Sequence, residues 1–326
     1  MGGTTIRIQV VQPGWFSTVQ DQGRYGYQQY GVSVAGAMDW FSTTVANRLV
    51  GNADDAAVLE LTLKGPELEF EGDTHIAITG ADLSPTIDGT CTPQWECVEV
   101  SGGSRLCFGT AHTGARTYLA IAGGINVPLV LGSRSTHCAS ETGGFKGRSL
   151  RQGDVLHAGQ PLPSAESLPG TRLPDRLVPR YGKATRLRII PGPHQDLFSA
   201  TALATLTGFS YTVTPASNRM GYRLAGPRIV TKGPGHFISD CTTMGALQIP
   251  ADGQPILLMA DRQTTGGYPT IAVVITADLP LAAQLAPGDT STFSLTTLAK
   301  AQAALREQRA LLDAALPPIR DCLLFR

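Results

Sequence analysis

PLPSAESLPGTRLPDRLVPR, residues 161–180, carries five prolines among mixed polar residues. Proline fixes φ and removes a backbone donor, so such a stretch makes a poor helix or strand and a good linker. It divides the 326 residues into two comparable halves, in keeping with roughly 150 residues per domain. Each half holds a Leu-x-Gly-Pro turn, at 63–66 and 224–227. Each also sets Gly-Asp before a strand, Gly153-Asp154 and Gly288-Asp289, and places a Ser and then a Met ahead of the Leu-x-Gly-Pro turn (Ser33 and Met38; Ser217 and Met220). The echoes recur in the same order, which points to an internal duplication: two β-domains of related build. The expected layout is a first domain over 1–165, a linker over 166–183, a second domain over 184–295 and a C-terminal helix or tail over 296–326.

Working outward, short apolar runs bounded by Gly, Pro or Asp read as strands. Examples are 6–11, 59–63, 68–70, 75–79, 118–121, 187–190, 211–213, 246–249, 256–259 and 271–275. Helices are few. Asp39 is placed to N-cap a helix over 40–50 that stops at Gly51-Asn52. His194-Gln195-Asp196 opens a second over 197–207, with Gly208 after its end. The span 295–316, rich in Ala, Leu, Gln and Arg, ends at Pro317-Pro318 and reads as an amphipathic packing arm, with a partner-binding surface as the alternative. Charged residues make up 16% of the chain, with 37 Gly and 22 Pro, against a usual charged share of about 25%. Few charges and many turn residues favour a mainly β protein.

The 26 Lys and Arg balance 26 Asp and Glu. A neutral chain argues against nucleic acid or an anionic membrane as the main partner, because both are held by excess positive charge. The six cysteines, at 91, 97, 107, 138, 241 and 322, form no Cys-x-x-Cys and no zinc-ligand spacing. They read as reduced thiols of a cytoplasmic protein. The first residues lack a charged-then-apolar leader, and the longest apolar runs are strand-sized, so no membrane segment is expected.

Familiar catalytic signatures are absent: there is no Gly-x-Ser-x-Gly, no phosphate-binding Gly-x4-Gly-Lys-Ser/Thr, no Gly-x-Gly-x-x-Gly and no His-Glu-x-x-His. No metal site is expected. Three polar, Gly-dense segments nonetheless read as site material: 20–26 continuing to 36–39, 217–223, and 260–268. Each sets an Arg beside Gly and Tyr. Arginine offers a planar fork for a carboxylate or phosphate, and glycine lets backbone N–H groups approach a ligand. The third segment follows a buried-looking strand directly, and loops at strand ends are where sites are usually built. Asp261 in it is placed to act as a base or to anchor an amide; capping the turn is the equal alternative.

The runs VQDQGRYGYQQYGVSVAGAMD (19–39), SNRMGYRLAGP (217–227) and DGQPILLMADRQTTGGYPTIAVV (252–274) resemble the allophanate hydrolase subunit 2 family. That family takes in the KipA proteins, the C subunit of 5-oxoprolinase and part of the carboxyltransferase region of urea carboxylases. The resemblance extends to the run from Asn52, AIAGGINVP from Ala120, LGSRST from Leu131 and LAAQLAPGD at 281–289, about residues 5–295 in all. It implies two tandem cyclophilin-like β-barrels. It also implies one component of an ATP-dependent 5-oxoprolinase, working with a KipI-like protein and a LamB/YcsF-like protein as its other two components.

The same resemblance leaves two alternatives. One is a carboxyltransferase moving a carboxyl group from carboxybiotin to a urea-like or amide nitrogen. The other is a KipA-like antagonist of a KipI-like kinase inhibitor. No Ala-Met-Lys-Met biotinylation sequence occurs, so ATP or carboxybiotin is expected on partner proteins, with nothing bound covalently here. Either chemistry acts on a planar amide or ureido group and develops an oxyanion, which calls for preorganised donors. Residue chemistry placed on these motifs names Asp261, Arg262 and Arg219 as catalytic candidates. Arg24, Asn218, Tyr222, Arg223, Gln263, Thr264, Gly266, Gly267 and Tyr268 are the candidates for binding a small amide or urea-like substrate.

Overall fold

The computed structural model describes residues 6–161, 169–232 and 238–319. Part of the proline-rich stretch (162–168), His236 and Cys322 lie outside the described residues. Contacts group the described parts of 1–24, 39–180 and 310–326 into one compact unit, and those of 25–38 and 181–309 into a second.

The first unit is built from two sheets. In one, Val155–His157, Arg7–Gln12, Glu67–Glu71, Arg105–Cys107, Thr86–Ile87 and Thr90–Cys91 lie side by side in that order. In the other the order is Phe16–Gln20, Val58–Thr62, Thr113–Ile121, Thr74–Asp82 and Cys97–Val100. Alternation sends Ile8, Val10, Leu59, Leu61, Leu68, Phe70, Ile76 and Ile78 into one buried cluster. The helix Trp40–Leu49 starts where expected. Asp39 caps it by accepting from the Ser42 backbone N–H at 2.9 Å, which satisfies a donor that the helix start leaves open. The Asp39 N–H donates to the Tyr118 hydroxyl (2.9 Å), which donates to Glu60 (2.8 Å). All three residues are buried, and burial beside Glu60 and Asp39 holds the Tyr118 hydroxyl well above its ordinary pKa, so it stays a donor.

The second unit is a closed barrel in the order Ala184–Pro191, Thr270–Val274, Ala246–Gln248, Ile256–Leu258, Gly221–Ala225, Ser210–Val213 and Thr290–Leu295. A parallel pairing of the last strand with the first closes it. Mainly β is thus what forms. The strands close into a barrel in the second half, while those of the first divide between two sheets.

The linear division by halves is corrected at three places. Residues 25–38 belong to the second unit, where Met38 enters the barrel core and Ser33 donates to the Arg262 carbonyl at 2.7 Å. Residues 170–173 of the supposed linker belong to the first, pairing with Cys97 and Trp95 through Thr171 (2.8 Å) and Leu173 (2.9 Å); Leu173, at 1% exposure, is what anchors them. The helix Leu298–Ala315 contributes its residues from 310 onward to the first unit, where Asp313 pairs with Arg48 at 2.7 Å and Leu312 is buried, as a packing arm requires. The helix expected over 197–207 begins at Ala200, capped by Ser199, after a short 3-10 turn at Gln195–Leu197. Cys91, Cys97, Cys107 and Cys241 are free thiols, and burial pushes that of Cys97 up to about 11.

Candidate functional site

The barrel's strand register decides which residues share a face. Tyr222 pairs with Leu257, which pairs with Leu247, and this row points into the core. One residue along, Arg223 pairs with Ile256 and Ile256 with Gln248. Because side chains alternate in a strand, that second row stands on the opposite face, joined there by Gly221 and Leu258. Asn218 and Met220 from the preceding turn, with Gln263 and Tyr268 from the loop after Met259, close this face into a cleft of about 180 Å³. Its floor is apolar at Ile256 and Leu258 and polar at Gln248, and its rim carries the exposed Arg223 and Tyr268 with Asn218 and Gln263.

The loop over the cleft is held from beneath. Arg219 and Asp261 form a two-pronged pair: Nε to Oδ2 at 2.9 Å and Nη2 to Oδ1 at 2.9 Å. Arg219 also donates to the Gly36 carbonyl at 2.6 Å, and the Asp261 N–H to the Arg219 carbonyl at 2.9 Å. Beyond it, Thr242 donates through its N–H to the Thr264 carbonyl (3.0 Å) and through its hydroxyl to that of Gln263. Asp240–Cys241 pairs with Thr265–Gly266 as a short ribbon. A side chain at Gly266 would stand 2.8 Å from Gln248 Nε2 and 3.3 Å from Gln263 Nε2. Glycine leaves room there for both amide ends.

Of the residues expected at a site, the cleft gathers Asn218, Arg223, Gln263 and Tyr268, and the loop brings Thr264, Gly266 and Gly267 beside them. Others stand elsewhere. Tyr222, expected to line a pocket, is in the barrel core at 1% exposure, its hydroxyl donating to the Ala283 carbonyl at 3.3 Å; strand alternation, which the motif alone does not reveal, puts it there. Arg24 is in the first unit at 1% exposure, donating to the carbonyls of Val130 (2.8 Å) and Ser135 (2.9 Å). Burial lowers its pKa against the opposing pull of Asp21. Asp261 has Arg219 on both carboxylate oxygens, which is the arrangement of the turn-holding alternative. Arg262 is nine-tenths buried, donates weakly to the Met259 carbonyl (3.3 Å), and burial depresses its pKa. Gln248, Ile256 and Leu258 were not anticipated; the one signal was a lone glutamine inside the apolar run 246–249.

His194 has both ring nitrogens engaged. The Thr270 N–H donates to Nδ1 at 3.0 Å, and Nε2 faces Asp240 at 3.4 Å. Among the described residues no group of three or more His, Cys, Asp or Glu is placed to hold a metal ion, and no helix is long and apolar enough to cross a membrane.

The barrel and its polar-rimmed cleft fall within a known class of protein: residues 30–295 match the family described as carboxyltransferase domain, subdomain A and B. The chain belongs to that family. It is 36% identical over 302 residues to the C subunit of 5-oxoprolinase from Escherichia coli, covering 93% of this chain and 95% of that one. It is 37% identical over 302 residues to urea amidolyase of Saccharomyces cerevisiae, covering 88% of this chain and 16% of that one. The crystal structure of the Kluyveromyces lactis urea amidolyase superposes with a TM-score of 0.90 at 34% identity, over 97% of this chain and 20% of that one. The chain therefore spans nearly all of the bacterial protein and no more than a fifth of the fungal enzymes.

Proposed function

We propose that this chain is the C subunit of an ATP-dependent 5-oxoprolinase, a cytoplasmic complex that opens 5-oxoproline to glutamate, and that the outer cleft of the barrel is where the chain meets the amide. The observation that carries this reading is the end-to-end match to the bacterial protein, which covers 93% of one chain and 95% of the other. In the reaction one water adds to the ring carbonyl carbon, the ring C–N bond breaks and the nitrogen leaves protonated as the amine, while a second water is consumed as ATP goes to ADP and phosphate. Negative charge develops on the carbonyl oxygen, and donors aimed at it stabilise the transition state. The cleft supplies such donors in the Arg223 guanidinium and in the side-chain amides of Asn218 and Gln263. Asn218 Oδ1 is held by the Met220 N–H at 2.8 Å, which leaves its NH2 turned away from that bond.

Among the described residues no nucleophile or free acid–base pair stands in the cleft. This supports a shared reaction in which a KipI-like protein and a LamB/YcsF-like protein supply ATP binding and the remaining groups. The test is 5-oxoproline-dependent ATP hydrolysis with glutamate detection, on the chain alone and then with both partners. Turnover only in the complete mixture is the expected result; a stable complex without turnover rejects the reading.

The fungal likeness favours a second reading, transfer of a carboxyl group to an amide or urea-like nitrogen. Carboxybiotin, delivered by another protein, would supply the carboxyl group. The fit rests on the same donors, because Arg223, Asn218 and Gln263 suit a ureido oxygen as well as a lactam one. Formation of biotin and the N-carboxylated amide from free carboxybiotin, dependent on the chain and on the added amide, distinguishes it.

A further inference from the structure

Two buried arginines stand beside Asp261, and it neutralises one of them. Arg219, 6% exposed, takes both carboxylate oxygens at 2.9 Å. Arg262 follows Asp261 in the chain, is 9% exposed, and pairs with no carboxylate among the described residues. Its Nη1 donates there to the carbonyls of Met259 and Ala260, at 3.3 and 3.5 Å, beyond the usual range of about 2.7–3.2 Å. Its Nε is closed off without a partner, so no ligand meets that atom. Nη2 also has no partner among the described residues, and it is not closed off. The root of the side chain is fixed: the Ser33 hydroxyl donates to the Arg262 carbonyl at 2.7 Å, and the Arg262 N–H to the Met259 carbonyl at 3.3 Å. The ionisable groups that favour its charge are Tyr25, a phenol, and Asp261, and burial outweighs both.

Buried charges in folded proteins are paired, because an isolated ion loses its hydration without compensation. A guanidinium does not escape by losing its proton at ordinary pH. With Arg219 and Asp261 cancelling, the turn is left with one positive charge and one open NH2 edge. We infer that Arg262 is an anion subsite outside the cleft, its Nη2 donating to the carboxylate of a small monoanionic acid. The charges then match one to one. A phosphate dianion would call for a second cation, and Arg219 is already spent on Asp261. The bond formed is a charge-assisted one, roughly twice as strong as a neutral hydrogen bond. Arg262 is not among the residues that line the cleft, so the subsite is a second binding position on the same loop.

The test is the unfolding midpoint of the full chain, Arg262→Met and Arg262→Gln at fixed ionic strength, with sodium chloride replaced stepwise by sodium acetate or sodium phosphate. In chloride alone both variants should unfold at the native midpoint or above it, because a buried charge without a counter-ion has been removed. Acetate should raise the native midpoint in a saturable way, as a ligand of the folded state does. Both variants should bind acetate about tenfold or more weakly, the scale of one hydrogen bond to a charged group. Arg262→Lys, which keeps the charge and loses the fork, should retain part of the response. In NMR spectra the Arg262 Nε–H signal, assigned by its loss in Arg262→Met, should move with acetate over the same range. The inference is overturned by an equal acetate shift in native and variant chains, by an unmoved Nε–H signal, or by midpoints lowered in both variants in chloride. Phosphate binding more tightly than acetate through Arg262 overturns it as well. The subsite goes beyond the proposed 5-oxoproline reaction, and either can fail alone. Turnover by the assembled complex with an acetate-insensitive Arg262 rejects the subsite and leaves the function. An inactive complex whose chain still binds acetate through Arg262 rejects the function and leaves the subsite.

Discussion

The loop 20–24 in the first unit and the loop 260–268 in the second share a vocabulary, an Asp and an Arg beside Gln and Gly, and meet opposite fates. In the first, Asp21 accepts from the Gly23 N–H (2.8 Å), the Ser133 hydroxyl (2.7 Å), the Arg134 N–H and the Ser135 hydroxyl. Arg24 is engaged by two carbonyls, and both charged residues are buried. In the second, one pair, Arg219 with Asp261, closes in the same way, while Gln263 and Tyr268 reach open space. Polar groups turned inward onto their own unit make a scaffold; polar groups that face open space are placed to make a site. Composition does not distinguish the two loops, but exposure does: Arg24 is 1% exposed and Tyr268 43%.

That contrast can be broken by substitution. Asp21→Ala strands at least two backbone donors and takes the negative charge away from buried Arg24, for a loss of roughly 3–5 kcal/mol. Hydrogen exchange in the strands Phe16–Gln20 and Val58–Thr62 should report it, and native-like protection would show that the first loop is not a scaffold. Asp261→Ala leaves Arg219 buried without its carboxylate, for about 3 kcal/mol in the barrel. The expected outcome is a lowered unfolding midpoint, with activity of the complex falling with the folded fraction. An unshifted midpoint with abolished turnover would instead return Asp261 to the catalytic role.

A smaller effect sharpens the scaffold side. Hydrogen bonding and charge from Arg148, at 2.7 Å, together with the Arg151 N–H, hold the Asp154 carboxyl below its ordinary 3.8. A depressed folded-state value contributes stability that is present above the unfolded pKa and lost as pH falls through the folded one. The first unit should therefore weaken on acidification below about 3.8. Arg148→Ala should flatten that dependence while costing up to ~1 kcal/mol at neutral pH, as acid titration of the unfolding midpoint would show. The smallest effect on folding belongs to Arg223→Ala. Its side chain is exposed on the cleft rim, so stability should change by no more than about 0.5 kcal/mol, while substrate binding falls several-fold in an affinity or KM measurement. Unaltered binding would remove Arg223 from the site.

Much of the architecture was legible along the chain, because it is written in local terms. Asp39 before an apolar-periodic run makes a capped helix wherever it is placed, and Gly-bounded apolar runs such as 256–259 and 271–275 make strands. The family motifs at 19–39, 217–227 and 252–274 likewise carry their relationship in the residues themselves. What could not be read is what depends on pairing. Tyr222 and Arg223 are neighbours in one motif, yet one fills the core and the other the cleft, because a strand turns successive side chains to opposite faces and only the partner strand says which face is which. Residues 25–38 sit inside the first half of the sequence and belong to the second unit, a matter of long-range contact. Gln248 lies in the run 246–249, read only as a strand; register with Ile256, which pairs with Arg223, puts it on the face that carries the cleft. The elements, the family and the chemical repertoire are set by the order of residues alone. Which polar groups are satisfied, and hence which are free to bind, is set by long-range contact, because satisfaction is a relation between residues far apart in the chain.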